Sequence, residues 1–261
     1  MDVADRLDLT LRLVQGSDRV SVSELSRRLG VSEMTVRRDL DALEGQGLVR
    51  RVHGGAVATR TREEDAGFAA REPWQAATKD RLGAAAAALV LPGSRVLLDA
   101  GTTTVHVAEH LAARAPLTVA VLSLQAALIL ADRPGIELLV VGGRSRPGER
   151  SLVGPLALRM LESLAFDCFL MSIGGVHADN GWSEFSLDDA AVKQVGLARA
   201  TRTIAVADAT KLGMRAFSRV APLGAVHRFV TDRTAEDTVT HPSGPQTLES
   251  LRDAGVDTLL V

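Results

Sequence analysis

The sequence predicts a two-part α/β protein in which a small head precedes a larger, mainly parallel, helix-flanked sheet. Two patterns lead to this fold class. Residues 21–57 carry the caps, glycine corners and apolar stripes of two helices followed by a short strand pair. Beyond residue 76, apolar strands alternate with amphipathic helical segments. With 261 residues, of which 46% are hydrophobic, the chain can form a head and one substantial core-bearing domain.

The first two helical segments predict a helix-turn-helix. Ser23 precedes a short amphipathic stretch, and Gly30 supplies the flexible corner at which that stretch ends. Ser32 is a good N-cap for the second helix, and Glu33 suits the positive end of its dipole. One face of the second helix is apolar at i, i+4 and i+7, namely Val36, Leu40 and Leu43. This face is expected to pack against the rest of the head.

The opposite face of the second helix is predicted to contact double-stranded DNA. At about 100° per residue, Met34, Thr35 and Arg38 point away from the apolar stripe, and Arg37 lies to one side. A guanidinium group can form two hydrogen bonds to guanine or pair with a phosphate, and threonine offers a hydroxyl and a methyl to base edges. We therefore expect this helix to enter the major groove.

A wing follows the second helix. Residues 48–52 predict a short strand that carries Arg50 and Arg51, and residues 53–55 predict a turn before residues 56–57. A small helical domain whose arginines only face solvent is the alternative interpretation. The residues predicted to contact DNA are Ser32, Glu33, Met34, Thr35, Arg37, Arg38, Arg50, Arg51, His53 and Gly54.

The positive charge is confined to this head. Residues 27–60 contain seven arginines and four acidic residues, a local charge of +3, whereas the whole chain carries −2. Such a chain is not expected to coat nucleic acid indiscriminately. A modest patch on a single motif favours a homo-oligomer that binds repeated half-sites.

Composition excludes several other classes of protein. The single cysteine, Cys168, excludes an intrachain disulfide and suits a reducing compartment. No run of eighteen apolar residues occurs, and the acidic start at residues 1–8 does not fit a secretory signal. We therefore expect a cytoplasmic protein with no membrane partner.

Three regions are predicted: a winged helix-turn-helix domain at 1–57, a linker at 58–76 and an α/β domain at 77–261. No internal repeat is visible. Strands are predicted at residues 95–100, 117–123, 136–143, 167–175, 202–209, 227–232 and 256–261. The intervening helices are predicted at residues 105–114, 124–133, 155–164, 186–200 and 247–255.

Ligands of open α/β sheets gather at the carboxyl ends of strands. Here Asp99 ends the first strand of the larger domain, and residues 101–104, Gly-Thr-Thr-Thr, open the next helix. Backbone N–H groups at such a helix start can cradle a phosphate, although a threonine-capped turn is equally common without a ligand. Gly142–Gly143 and Gly174–Gly175 end two further strands, where glycine permits close approach of a ligand or simply forms a turn.

The use of lysine points to the same sites. Only three of the thirty basic residues are lysines: Lys79, Lys193 and Lys211. A compact ammonium group suits contact with a phosphate or a sugar hydroxyl in a tight pocket, and Lys79 is also expected to cap or flank a helix start. The residues predicted to bind a small-molecule effector are Asp99, Gly101, Thr102, Thr103, Thr104, Gly142, Gly143, Gly174, Lys193, Asp208 and Lys211.

One motif suggests metalloenzyme chemistry. Residues 106–110 match the H-x-x-E-H pattern of inverted zinc peptidases. No third ligand is identifiable from the sequence, so we interpret these residues as exposed side chains on a surface helix. No G-x-S-x-G elbow occurs either. The sequence therefore predicts no catalytic residue, no bound metal and no cofactor.

The whole chain resembles one family. The segment 31–57, VSEMTVRRDLDALEGQGLVRRVHGGAV, resembles the DeoR family of bacterial transcriptional regulators, whose heads carry a VS-x-x-TIRRDL and R-x-HGGA pattern. The remainder is similar to that family's effector-binding domain, which resembles ribose-5-phosphate isomerase in fold. Matching segments include 97–104, 140–144 and 207–211, and all three lysines fall on family positions. The resemblance implies a repressor of carbohydrate catabolism, released by a phosphorylated sugar or similar metabolite.

One departure from the family pattern affects the expected ligand. Relatives have Val-Thr-Asn-Ser at the end of the second strand, where this chain has Ala120-Val121-Leu122-Ser123. If Val121 and Leu122 face the pocket, ligand hydroxyl groups there would lack partners. Two alternatives therefore stay open: a repressor whose ligand site is degenerate, and an isomerase-like enzyme with Asp99 or Asp208 as its base.

Overall fold

The computed structural model describes residues 3–15, 20–45, 49–52, 54–58 and 67–261. These residues form two compact units, which we call the head unit (1–75) and the sheet unit (76–261). Residues 59–66 of the predicted linker lie outside the described part of the chain. The rest of that predicted linker is not featureless, because it includes a helical turn and Trp74, which packs against the core of the head.

The head unit has the predicted helix-turn-helix and wing. Its elements are α1 (Val3–Gln15), β1 (Val20–Ser21), α2 (Val22–Leu29), α3 (Glu33–Gly45), β2 (Val49–Val52), β3 (Gly55–Ala58) and α4 (Phe68–Arg71). The strands form an antiparallel sheet in the order β1-β3-β2, in which β2 and β3 are the wing hairpin. Gly30 adopts a φ of 68° at the corner, a value that favours glycine.

The start of α2 differs from the prediction. Ser21, rather than Ser23, is the N-cap, and its Oγ accepts a hydrogen bond of 3.1 Å from the Glu24 amide. Ser23 lies within the first turn of α2, where its Oγ is 3.0 Å from that of Ser21. Two serines spaced two residues apart offer equally good caps, and the pairing of Ser21 with Gly55 in the small sheet fixes the choice.

Helix α1 was not predicted and completes the head core. Leu11 and Val14 are buried with the apolar faces of α2 and α3. In addition, the Arg6 guanidinium donates to both carboxylate oxygens of Asp39 on α3, over 2.7 and 3.0 Å. This bidentate pair is largely shielded from water, so α1 fixes the position of α3 by charge as well as by packing.

The sheet unit contains the predicted parallel sheet. Its helices are α5 (Ala76–Ala88), α6 (Thr102–Leu111), α7 (Leu124–Leu130), α8 (Pro155–Glu162), α9 (Leu187–Arg199) and α10 (Gly244–Asp253). Its strands are β4 (Arg95–Leu98), β5 (Leu117–Val121), β6 (Ile136–Val140), β7 (Arg144–Ser145), β8 (Leu152–Val153), β9 (Phe166–Met171), β10 (Gly175–His177), β11 (Gly181–Glu184), β12 (Ala200–Val206), β13 (Ser218–Ala221), β14 (Arg228–Thr231) and β15 (Asp257–Leu260).

Seven of these strands form one sheet in the order β15-β14-β12-β9-β4-β5-β6, and all six pairings are parallel. Successive residues of each strand face opposite sides, so the sheet separates two cores. On β4, Leu97 packs into the core that includes residues of α8, α9 and α10. Val96 and Leu98 pack into the core that includes residues of α5, α6 and α7. The predicted helix-flanked architecture is therefore confirmed.

Two antiparallel additions were not predicted. Strands β10, β11 and β13 form a three-stranded sheet, and β7 pairs with β8 in a two-stranded ribbon. Trp182 on β11 is fully buried, donates from Nε1 to the Leu223 carbonyl over 2.9 Å and meets the Phe229 ring edge-on. These contacts attach the small sheet to the larger one. None of the helices in the described residues has the length and apolar character needed to cross a bilayer.

Candidate DNA interface and effector site

The outer face of α3 is arranged as predicted. Ser32 caps the helix by accepting a hydrogen bond of 3.2 Å from the Thr35 amide. The predicted stripe of Val36, Leu40 and Leu43 is buried in the head core. On the opposite side Met34 is 62% exposed, and both Arg37 and Arg38 are exposed.

The two arginines of this face differ in their partners. Arg37 lies 3.5 Å from Glu33, one turn earlier on α3, so its charge is partly balanced. Arg38 forms no ion pair or side-chain hydrogen bond within the described part of the chain. The hydroxyl of Thr35 is 2.9 Å from Ser32 Oγ and is therefore already engaged. Arg38 is thus the cation on α3 with the greatest freedom to bind an external partner.

The wing arginines also differ from each other. Arg50 is exposed on β2, whereas Arg51 is half-buried and its guanidinium pairs with Asp41 of α3. The amide of Arg51 donates to Glu44 over 2.7 Å. The Arg51 guanidinium therefore ties the wing to α3, and its contact with DNA stays a prediction. Gly54 lies exposed at the turn with a φ of 75°, and His53 lies outside the described residues.

At the carboxyl end of β4, Gly101 caps α6 with a φ of 141°. The positive φ favours glycine, and a Cβ at this position would lie 3.1 Å from Ser172 Oγ, a tight contact. Thr102, Thr103 and Thr104 are buried in the first turn of α6. The predicted helix start is therefore present, and it faces the end of the neighbouring strand β9.

Asp99 is buried beside this helix start and fully engaged. Its carboxylate accepts hydrogen bonds from the Ala100 amide at 2.8 Å and the Ser172 amide at 2.9 Å. The Ser172 hydroxyl, which has a single proton to donate, lies 3.0 Å from this carboxylate and 2.6 Å from the Ala100 carbonyl oxygen. Asp99 also pairs with Lys193 of α9. Asp99 therefore belongs to an internal network of hydrogen bonds and one ion pair, and its role as the base of an isomerase-like enzyme stays a prediction.

Lys193 is buried, and its charge is matched inside the protein. Its ammonium group contacts Asp99, Ser172 Oγ at 3.3 Å and Glu184 at 3.4 Å. Burial alone would lower the pKa of Lys193, but Asp99, Glu184 and Asp189 outweigh burial and raise that pKa. Burial raises the pKa of Glu184 despite the nearby ammonium group. We call Asp99, Ser172, Glu184 and Lys193 the buried lysine cluster. A ligand phosphate would have to compete with these carboxylates for Lys193.

The other two lysines flank a second carboxylate. Asp208 follows β12, is 5% exposed and accepts a hydrogen bond of 3.0 Å from the Thr210 amide. Burial would raise the pKa of Asp208, but Lys211, Thr210 and Lys79 together lower it. Lys79 lies in the first turn of α5, as expected of a residue flanking a helix start, and it is buried. Lys79 and Lys193 are thus buried beside carboxylates, and Lys211 is half-buried beside Asp208.

The glycine pairs at the other strand ends serve packing. A Cβ on Gly143, which has a φ of 147°, would lie 2.7 Å from the Val153 carbonyl oxygen. A Cβ on Gly174 would lie 3.0 Å from the Phe185 ring and 3.1 Å from Glu184. Protein atoms therefore lie close to both glycines, and a ligand at these two positions stays a prediction. Gly142 has open space around its Cα and stays available.

Val121 and Leu122 do not line a pocket. Both are fully buried, Val121 in the core that includes α5, α6 and α7 and Leu122 in the core on the opposite face of the sheet. The prediction that both side chains face a ligand is wrong, because adjacent residues at the end of a strand point to opposite faces. The apolar replacements therefore extend the cores.

Ser172 and Glu184 were not among the predicted site residues. Ser172 immediately follows β9, so its place at a strand end was a usable signal. Glu184 ends β11 of the unpredicted antiparallel sheet, and its approach to Lys193 depends on that sheet. No local pattern in the sequence indicates this second contact.

Comparison with known proteins covers both units. A model of the DeoR-like helix-turn-helix domain matches residues 6–62, and one of the DeoR C terminal sensor domain matches residues 74–233. The uncharacterized HTH-type transcriptional regulator YulB of Bacillus subtilis is 36% identical over 89% of this chain and 90% of its own length. The HTH-type transcriptional repressor GlcR of the same organism is 32% identical over 88% of each chain.

A third relative covers almost the whole chain. The putative aga operon transcriptional repressor of Escherichia coli O157:H7 is 29% identical over 99% of this chain and 94% of its own length. Among solved structures, ribose 5-phosphate isomerase A from Methanocaldococcus jannaschii overlaps 52% of this chain and 54% of its own, with 15% identity and a TM-score of 0.39. That overlap is partial and distant, so it indicates nothing about activity.

Proposed function

Because the chain belongs to the DeoR family of transcriptional regulators, we propose that it represses a carbohydrate catabolism operon and that a phosphorylated sugar or a related metabolite releases it from operator DNA. Two relatives are named as repressors, GlcR and the aga operon repressor, which supports this direction of control. The observation that carries the DNA-binding role is the exposed face of α3, where Arg38 has no ion pair within the described residues.

We further propose that the regulator works in the cytoplasm as a homo-oligomer. A single head with a local charge of +3 supports modest affinity, and pairing two heads on repeated half-sites would raise affinity and specificity together. Light scattering of the free protein, compared with its mass on one and two half-sites, tests this. The proposal would be contradicted if the protein were a monomer that binds DNA with one half-site as tightly as DNA with two.

The wing supplies a test of phosphate contact. Arg50→Ala is expected to weaken binding on all DNA sequences and to reduce the salt slope by about one unit, because an exposed arginine on a wing reaches the phosphate backbone. Arg51→Ala is the matched control, since its guanidinium already pairs with Asp41. Binding is measured by fluorescence anisotropy over a range of salt concentrations. If Arg50→Ala and Arg51→Ala reduced the salt slope equally, the proposal that Arg50 rather than Arg51 contacts the phosphate backbone would be wrong.

The proposed effector site lies at the start of α6. The first-turn amides of α6 at residues 101–104 can receive a phosphate, and the helix dipole favours a negative charge there. Lys211 lies at the same edge of the sheet, next to Asp208. Lys193 already pairs with Asp99 and Glu184 inside the protein, so it is less available to a ligand phosphate. This pairing favours a second candidate function, a repressor whose ligand site is degenerate and which responds little to metabolites.

A panel of phosphosugars and their unphosphorylated analogues separates these candidates. If the amides at the start of α6 bind the phosphate group, phosphosugars should raise the melting temperature in a dose-dependent way. The unphosphorylated analogues should then raise it much less. Equal stabilisation by phosphosugars and analogues would show that these amides do not bind the phosphate group. Absence of any shift would favour the repressor with a degenerate site. Turnover of a stabilising phosphosugar, assayed in the same samples, would favour the isomerase-like enzyme.

A further inference from the structure

Helices α5 and α6 bring four metal-ligating side chains together on the surface of the sheet unit. We call this group, Asp80 of α5 with His106, Glu109 and His110 of α6, the helix-pair cluster. One ligating atom from each of Asp80, His106 and Glu109 lies within 4.8 Å of the other two. His106 Nδ1 is 3.0 Å from Glu109 Oε2, and His110 Nε2 is 2.8 Å from Asp80 Oδ1.

The packing of the two helices explains this proximity. A Cβ on Gly83 would lie 2.6 Å from the carbonyl carbon of His106, so glycine lets the backbones of α5 and α6 approach each other closely there. Asp80 lies three residues before Gly83, on the same side of α5, and therefore faces α6. The spacing of 106, 109 and 110 likewise places three side chains on one face of α6.

The structure thus supplies what the sequence pattern lacked. The H-x-x-E-H segment was interpreted as exposed polar residues because no third ligand could be identified. Asp80 lies on a different helix, and only the close packing at Gly83 brings its carboxylate to His106 and Glu109. The pattern of contacts also differs from that of a peptidase, because Glu109 and Asp80 each hydrogen-bond one imidazole.

We propose that Asp80, His106 and Glu109 bind a divalent transition-metal ion, for which Zn²⁺ is the best match. An imidazole nitrogen and two carboxylate oxygens form a ligand set that suits zinc, with bonds of about 2.0–2.2 Å. In a tetrahedral site the ligand atoms would be about 3.4 Å apart. The ligand atoms already lie within 4.8 Å of one another, and the exposed side chains of Asp80 and Glu109 can close the remaining gap by small rotations. Two carboxylates also balance the charge of the ion.

The remaining histidine has a distinct role in this site. His110 hydrogen-bonds one oxygen of Asp80, an arrangement that orients a metal-ligating carboxylate and leaves its other oxygen for the ion. Water completes the coordination. Ca²⁺ and Mg²⁺ fit less well, because both prefer oxygen ligands and higher coordination numbers. The bound ion would clamp α5 to α6, whose first turns carry Lys79 and the threonines of the proposed effector site.

The experiment uses the full chain after treatment with a chelator and its removal. Zn²⁺ alone is titrated by calorimetry, the melting temperature is recorded with and without the ion, and Co²⁺ is used as a spectroscopic substitute. We expect each chain to bind one Zn²⁺ ion saturably at the helix-pair cluster. We also expect Zn²⁺ to raise the melting temperature, and bound Co²⁺ to show the visible absorption typical of tetrahedral coordination.

Variants locate the site. Asp80→Ala and Glu109→Gln alter exposed side chains and should fold normally, and each is expected to weaken Zn²⁺ binding by at least about tenfold. His177→Ala is the matched control, since His177 is another half-buried histidine beside a carboxylate, Asp179. It should bind Zn²⁺ like the unmodified chain. The proposal is overturned if the unmodified chain has no saturable Zn²⁺ site, or if Asp80→Ala and Glu109→Gln both bind as tightly as it does.

Discussion

Lys193→Met is expected to lower the free energy of unfolding by about 3–5 kcal/mol, the cost of breaking one side of a buried ion pair. Methionine preserves most of the length of the side chain but removes the ammonium group. Asp99, which is 1% exposed, would then lose its cationic partner and keep only the hydrogen-bond donors of Ala100 and Ser172. Chemical denaturation, followed by circular dichroism, measures the loss.

Two further variants separate this effect from general damage. Asp99→Asn combined with Lys193→Met should recover part of the loss, because it removes the uncompensated charge along with its partner. Arg95→Met disrupts the exposed pair between Arg95 and Asp167, which spans a similar distance in sequence, and should cost far less. If Lys193→Met were no more harmful than Arg95→Met, the buried lysine cluster would not be a stabilising element.

Arg38→Ala is expected to reduce specific DNA binding by about 1–3 kcal/mol and to relax discrimination at one base position. The effect should be largest at a guanine, to which a guanidinium can form two hydrogen bonds. Since Arg38 is exposed and buries no apolar surface of α3, the head should remain folded. Gel shifts on the native upstream region, with each base pair substituted in turn, measure the change in specificity.

Arg37→Ala is the control for this variant. Arg37 lies on the same helix but is partly paired with Glu33, so its loss should produce a smaller and less base-dependent effect. Unchanged specificity in a folded Arg38→Ala protein would show that Arg38 does not contact bases. A uniform loss across all sequences would instead place Arg38 against the phosphate backbone.

Local patterns predicted most elements of the fold. The i, i+4, i+7 stripe of α3 and the apolar runs of the parallel strands have signals that lie within a few residues, and each element formed where it was expected. Helix α1 carries the same local signal, since Leu7, Leu11 and Val14 lie at i, i+4 and i+7 and pack in the head core, so this helix could have been predicted from the sequence. The strands β10, β11 and β13 are short and carry weak alternation, so tertiary contacts decide their pairing.

The candidate sites were predicted less completely than the fold. The importance of the three lysines was recognised from their rarity, but their partners were not. Lys193 and Asp99 are 94 residues apart, and no spacing rule links them. Similarly, the free and the paired arginines of the head cannot be distinguished by residue type. The partner of Arg51 is Asp41 of α3, ten residues earlier in the chain, and no spacing rule links the two.

The first strand of the parallel sheet to leave the ribosome occupies an interior position in that sheet. β4 can pair with β5, and β5 with β6, as soon as residues 95–140 have been synthesised. The other edge of β4 waits for β9, because Val96 pairs with Cys168. During this interval a half-sheet presents the unpaired edge of a buried, hydrophobic strand. An unpaired edge of this kind favours wrong pairing and aggregation, so the long separation between β4 and β9 in the chain is a cost of placing β4 in the interior of the sheet.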